Sequence, residues 1–298
     1  MPPVRKCFLM QNRSFSSTIN PISYLTANLV ARPVGYNMTE GWMQGDDATN
    51  DLFRPVERFA ARFNEMISGI KALGFTSIDI WCAHLHPEWS TDEHLSIARE
   101  TLDRHGMTVT SYPCHWGATL EDLYSVARIM EALGTDLISG NHGMLATDRP
   151  ALIKELRKLK LLLAYENHPE KDATEMLAKI GPDAEDVLGI AYDTGWAATN
   201  DFDAVEALPA LLPRLFHIHA KDVKPRRTGQ PTGYQLIDMG HETCALGEGV
   251  TGIETVIRNA IENGFSGPIS IEHEPEDHDP AEDCRISLLR MKNWIGVD

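Results

Sequence analysis

Residues 56–81 read VERFAARFNEMISGIKALGFTSIDIW, and they contain the unit from which the rest of the chain is built. Phe59, Phe63, Met66, Ile67 and Ile70 recur at the three- and four-residue spacing that lines one face of a helix. Gly74 ends that helix, because the residue just past a helix often takes positive φ, which costs least without a Cβ. A short β-rich run, 77–81, follows at once. The same grammar recurs down the chain. Helix 95–105 stops at Gly106 before strand 107–112, helix 120–133 stops at Gly134 before strand 136–139, and helix 253–263 stops at Gly264 before strand 268–271.

Three further apolar runs, 161–165, 188–192 and 215–218, read as strands, and with 22–25 near the start they bring the count to eight. Strands alternating with helices imply parallel pairing through right-handed crossovers, and eight such units favour closure into a single-domain (β/α)8 barrel. The expected domain runs over 21–298, with 1–20 as a disordered or extended tail. The segments after the first and seventh strands are long. Strand-to-helix loops lie over the active face of such a barrel, so 35–51 and 222–250 are expected to be lids.

Composition removes several alternatives. A net charge of −16 opposes a phosphate backbone, which makes nucleic acid an unsuitable partner. No run approaches the roughly 20 apolar residues that span a bilayer. The five cysteines are scattered and form no CxxC pair, which argues against a disulfide framework or a thiolate zinc site and fits a reducing cytoplasm.

The strongest chemical signal lies where four successive β-runs end, at Glu166, Asp193, His219 and Glu272. Strand ends of a closed parallel barrel converge on one face, so these residues can meet. A lone carboxylate is most often a surface group. Three carboxylates and one imidazole at four strand ends instead read as a mixed oxygen and nitrogen shell for a hard or borderline divalent ion, with Mn²⁺ the first choice and Mg²⁺, Co²⁺ or Zn²⁺ as alternatives.

The stretches YENHP (165–169), AYDTG (191–195), HIHAKD (217–222), LGEG (246–249) and ISIEHE (269–274) resemble the xylose-isomerase-like barrel superfamily of sugar isomerases and epimerases. Its members include D-tagatose 3-epimerase, inosose dehydratase, endonuclease IV and the metal subunits of C-glycoside deglycosidases. The resemblance runs over residues 22–294 and implies that the metal shell falls on Glu166, Asp193, His219 and Glu272. It also implies that Glu166 and Glu272 act as acid/base groups on either face of the substrate. Trp196 stands where many members carry a histidine, and the arginine that some epimerases place after the strand-seven histidine has no counterpart.

These readings lead to a metal-dependent isomerase or epimerase acting on a sugar or keto-sugar by proton abstraction beside a carbonyl. The rival within enzymes is a lyase that expels a β-substituent from the same enolate, as in keto-inositol dehydration or C-glycoside cleavage. An endonuclease IV-like phosphodiesterase is opposed by the charge, and a non-catalytic metal-binding barrel by the intact ligand set. His142 is the expected extra general base, and His115, Trp116, Trp196, Lys221, His84 and Trp42 are expected to contact substrate. Loop histidines are often structural, and tryptophan is usually well buried, so ordinary packing is the competing reading for each. His217, two positions before His219, should lie one layer deeper on the same strand face, and Glu274 should support the site by hydrogen bonding. Trp42 is placed in a flexible loop, YNMTEGWMQGDD. A homo-oligomer is expected, or a complex with a small second subunit under the lyase reading.

Overall fold

The computed structural model describes residues 20–226 and 240–297. Eight parallel strands close into a barrel: β1 (Ile22–Leu25), β2 (Ser77–Asp79), β3 (Thr108–His115), β4 (Leu137–Asn141), β5 (Leu162–Glu166), β6 (Leu188–Asp193), β7 (Leu215–Ala220) and β10 (Ile269–Ile271). Sequence neighbours pair around the ring, and closure comes from Ile22↔Ile269 between β1 and β10. Each barrel strand expected from the sequence is present, and the closed barrel is the expected one.

The main core lies between the strands and the surrounding helices. In the helix Val56–Ala72 the buried residues are Phe59, Phe63, Met66, Ile67 and Ile70, the stripe read from the sequence. Each such side chain contributes about 1.5–3 kcal/mol relative to exposure. Gly106 and Gly134 close their helices at φ 59° and 74°, the left-handed conformation that spares them a Cβ clash.

Two segments depart from the simple reading. Residues 35–51 do not form one flexible loop, because Trp42–Phe53 is a helix whose buried face is Gly45, Thr49 and Phe53. Small and polar residues carry no apolar stripe, so periodicity missed it. Gly45 packs directly on Val30, where an added Cβ would meet the Val30 carbonyl oxygen at 2.5 Å. The second segment begins with β8 (Asp222–Pro225), which pairs antiparallel with β9 (His241–Cys244). The expected lid thus starts as a hairpin, and Arg227 and the remainder up to residue 239 lie outside the described residues, as do the N-terminal tail and Cys7. Among the described residues no helix is long and apolar enough to cross a membrane, and Cys82, Cys114, Cys244 and Cys284 are free and buried.

Candidate active site at the mouth of the barrel

Side chains alternate along a strand, so His217 and His219 share the interior face of β7 in two layers. The lower layer is polar. His217 Nε2 lies 2.6 Å from Ser270 Oγ, and the buried Asp79 carboxylate accepts hydrogen bonds from Ser270 and Thr110. The rings of His217 and His219 stand 4.6 Å apart, so this layer is the floor on which the upper one rests.

The upper layer gathers carboxylates. Glu166 ends β5, and its Oε1 lies 2.5 Å from His219 Nδ1, while Glu272 Oε2 lies 3.0 Å from the same nitrogen. Ligand atoms of Glu166, His219 and Glu272 all fall within 4.8 Å of one another, and all three side chains are buried. Asp193 ends β6 in register with His219 but stands outside this tight group. Its Oδ1 accepts the Trp196 amide at 2.9 Å, capping the helix Thr194–Thr199, and its Oδ2 lies 3.2 Å from Lys221 Nζ. That ammonium is buried and also lies 2.7 Å from Glu272 and 3.0 Å from Glu274.

The sequence after Asp193 explains how Lys221 reaches this place. Thr194 Oγ1 donates to the Lys221 carbonyl (2.7 Å) and accepts from its amide (3.1 Å). Gly195 leaves room for the lysine stem, since an added Cβ there would meet Lys221 Cγ at 2.5 Å. Asp-Thr-Gly is therefore one carboxylate followed by a backbone clamp and a gap for the neighbouring cation.

Electrostatics follow from crowding. Burial alone would lower His219, but Glu166 and Glu272 hold it well above its ordinary value. Burial would raise Glu166 and Glu272, yet His219 and His115 keep the first well below the carboxylate range and Lys221 and His219 keep the second low. For Asp193 burial wins over Lys221, and with Glu272 and Glu166 nearby the carboxyl is pushed up to about 7. Four buried carboxylates thus face the Lys221 ammonium and the His219 imidazole. The donor set fits a divalent cation: three buried carboxylates crowd one imidazole, the buried Nε2 of that His219 ring has no hydrogen-bond partner among the described residues, and a cation would relieve the mutual repulsion.

A second group adjoins the first. His115, at the end of β3, places Nε2 2.6 Å from Glu166 Oε2, and His168 joins them within 4.8 Å, so Glu166 belongs to both groups. The His168 ring packs against His115 and Trp196 at 5.0 and 5.1 Å, and burial lowers its imidazole to about 4. His168 was not singled out in the sequence, although it lies two residues beyond Glu166 in a strand-end loop.

The other expected residues divide. Trp196 lines this group, and Glu274 supports Lys221. Trp116 packs on His86 at 5.4 Å, and Trp42 on Trp81 at 5.0 Å. His84 is packed against Phe53 and Trp81, with Nδ1 3.2 Å from Thr26 Oγ1, and burial lowers it to about 3. His142 Nδ1 accepts the Met144 amide at 3.3 Å and its ring sits beside Gly117, so it joins neither donor group. A short helix, Met144–Thr147, starts two residues after it.

Asp222, next to Lys221, is buried and is a hub for the turn that follows β9. It accepts from the amides of Gly247 (2.8 Å), Gly249 (2.9 Å), Thr251 (3.2 Å) and Val223 (3.1 Å), and from the Thr251 hydroxyl (2.7 Å). Gly249 is required because a Cβ would collide with this carboxylate and with the Val223 carbonyl. Asp222→Asn removes one acceptor oxygen and is expected to destabilise the chain by about 1–3 kcal/mol. A urea midpoint equal to that of the parent would contradict the hub.

The profile of the xylose isomerase-like TIM barrel family matches residues 67–294. The inosose dehydratase of Lactiplantibacillus plantarum is 27% identical over 150 residues, 46% of this chain and 49% of that protein, so the chain spans about half the length of this curated relative. A xylose isomerase-like TIM barrel protein from Mycobacterium smegmatis, solved in complex with magnesium, superposes with a TM-score of 0.63 at 17% identity, covering 93% of this chain and 96% of that one. The probable 3-DHS dehydratase AsbF of Bacillus anthracis gives 0.62 at 14% identity, covering 92% and 99%. At these identities the two likenesses concern the fold.

Proposed function

This chain belongs to the xylose isomerase-like TIM barrel family, and we propose that it is a divalent-metal-dependent isomerase or epimerase of a sugar or keto-sugar. The observation that carries the reading is the pair of buried glutamates, Glu166 and Glu272, held on one imidazole at 2.5 and 3.0 Å. Glu166, His219 and Glu272 would hold the ion, with Asp193 completing the shell, and Mn²⁺ or Mg²⁺ suits this oxygen-rich set. When bound, such an ion would polarise a carbonyl and its neighbouring hydroxyl and so acidify the C–H of the hydroxyl-bearing carbon.

The protein's own groups do the rest. Glu166 and Glu272 are both kept ionised, so either suits the base that removes a proton from carbon, and the other would return one to the opposite face only after taking it up from solvent. His115 bonds Glu166 Oε2 and its side chain is 42% exposed, enough to pass that proton to solvent. Lys221 neutralises Glu272 and Asp193 and keeps them in place. Trp196 and His168 form an aromatic wall that excludes water from one side.

A second reading, β-elimination, is favoured by the inosose dehydratase likeness and by His115, an acid placed to protonate a departing hydroxyl. The test is incubation of metal-loaded protein with ketohexoses, keto-inositols and 3-keto C-glycosides in deuterated water, followed by mass spectrometry. Isomerisation or epimerisation gives a product of unchanged formula that has gained deuterium at carbon. Loss of water or of an aglycone would replace it with the second reading, and neither deuterium uptake nor any such loss with any of these substrates would defeat both.

A further inference from the structure

We propose that His273, His278 and Asp283 form a second divalent-cation site, of the kind suited to zinc, outside the barrel mouth. His273 directly follows Glu272, and the strand-end alternation turns its side chain away from the mouth, toward the helix Ala281–Ile295. It is 1% exposed, and its amide donates to Asn28 Oδ1 at 2.8 Å, which fixes the backbone. His273 Nε2 and His278 Nε2 each lie 3.0 Å from one atom, Asp283 Oδ2. Asp283 stands in the first turn of that helix.

Two imidazole nitrogens and a carboxylate oxygen within 4.8 Å are the donor types and number of a three-ligand zinc site. His278 also has the supporting partner expected of such a ligand, because its Nδ1 lies 2.7 Å from Asp277 Oδ1. The site has access: a cavity of about 360 Å³ is lined by His278 and Asp283 and leaves space for water on the open side. Its other walls carry Glu242, Glu248, Glu274 and Glu276 against Lys224 and Arg226, a field that draws in a cation. Occupancy would tie the loop after β10 to the helix Ala281–Ile295 and brace the strand end that presents Glu272. The assignment does not depend on the reaction proposed above.

The test is titration of the full chain, stripped by chelator, with Co²⁺ as a spectroscopic substitute for Zn²⁺, read by calorimetry and visible absorption. Wild type should bind two equivalents, one of which disappears in His278→Ala and in Asp283→Asn but persists in Glu272→Gln. His278 is half exposed, so its replacement leaves the core intact, and the melting temperature without metal checks this. A chain whose only equivalent is lost in His278→Ala and kept in Glu272→Gln still supports the site and removes the metal from the barrel mouth instead. Stoichiometry unchanged in both His278→Ala and Asp283→Asn, or no binding by wild type, would overturn the assignment.

Discussion

Glu166→Gln is expected to lower kcat by about 10²–10⁴-fold, the range for loss of a positioned acid/base group. Glutamine keeps the volume of the side chain but not its charge. Among the described residues Glu166 is the one carboxylate in contact with both His219 (2.5 Å) and His115 (2.6 Å), so none of these neighbours can take over both contacts. An amide must also aim its N–H₂ at one of two imidazoles, which leaves at best neutral hydrogen bonds where charge-assisted ones stood. Metal content should fall in parallel, because a ligand of the tight group has been neutralised. Activity within tenfold of wild type, measured on the substrate found by deuterium uptake, would remove Glu166 from the chemistry.

Lys221→Met is expected to destabilise the metal-free chain by about 3–5 kcal/mol, the usual cost of leaving buried charge uncompensated. The ammonium is the near partner of Asp193, Glu272 and Glu274, at 3.2, 2.7 and 3.0 Å, and methionine fills the same channel over Gly195 without charge. A divalent ion would neutralise some of the same carboxylates, so saturating Mn²⁺ should recover a large share of the loss. Denaturant unfolding of parent and variant, with and without the ion, gives the four numbers needed. Equal losses in both conditions would show that no cation shares these carboxylates with Lys221. A loss below about 1 kcal/mol without metal would show that the lysine does not balance the cluster.

The barrel was legible in residues 56–81 and their repeats because helix and strand periodicities are local properties. Phe59, Phe63, Met66, Ile67 and Ile70 face inward for the same reason in the sequence and in the fold: a 3.6-residue repeat leaves one side apolar. The strand ends were legible too, since parallel closure sends Glu166, Asp193, His219 and Glu272 to one rim. The helix Trp42–Phe53 was not, because its packing rests on Gly45 against Val30, a steric fit between two segments that leaves no hydrophobic period.

Within the site, the same boundary separates what local pattern can fix from what it cannot. His142 and His168 both follow a strand, yet one sits beside Gly117 and the other packs edge-on between His115 and Trp196. Lys221 follows His219 in every reading of the sequence, but only packing over Gly195 sends its ammonium between Asp193 and Glu272 and so sets Asp193 apart from the tighter group. Asp222 likewise became the hub of amides 25 to 29 residues away only when the chain folded back on it. Where an element carries an apolar period, the face each residue takes follows from the backbone repeat, a local property of the chain. Which charges touch depends on loop paths and on how buried carboxylates divide the few available cations, and those are set by contacts between segments far apart in the chain.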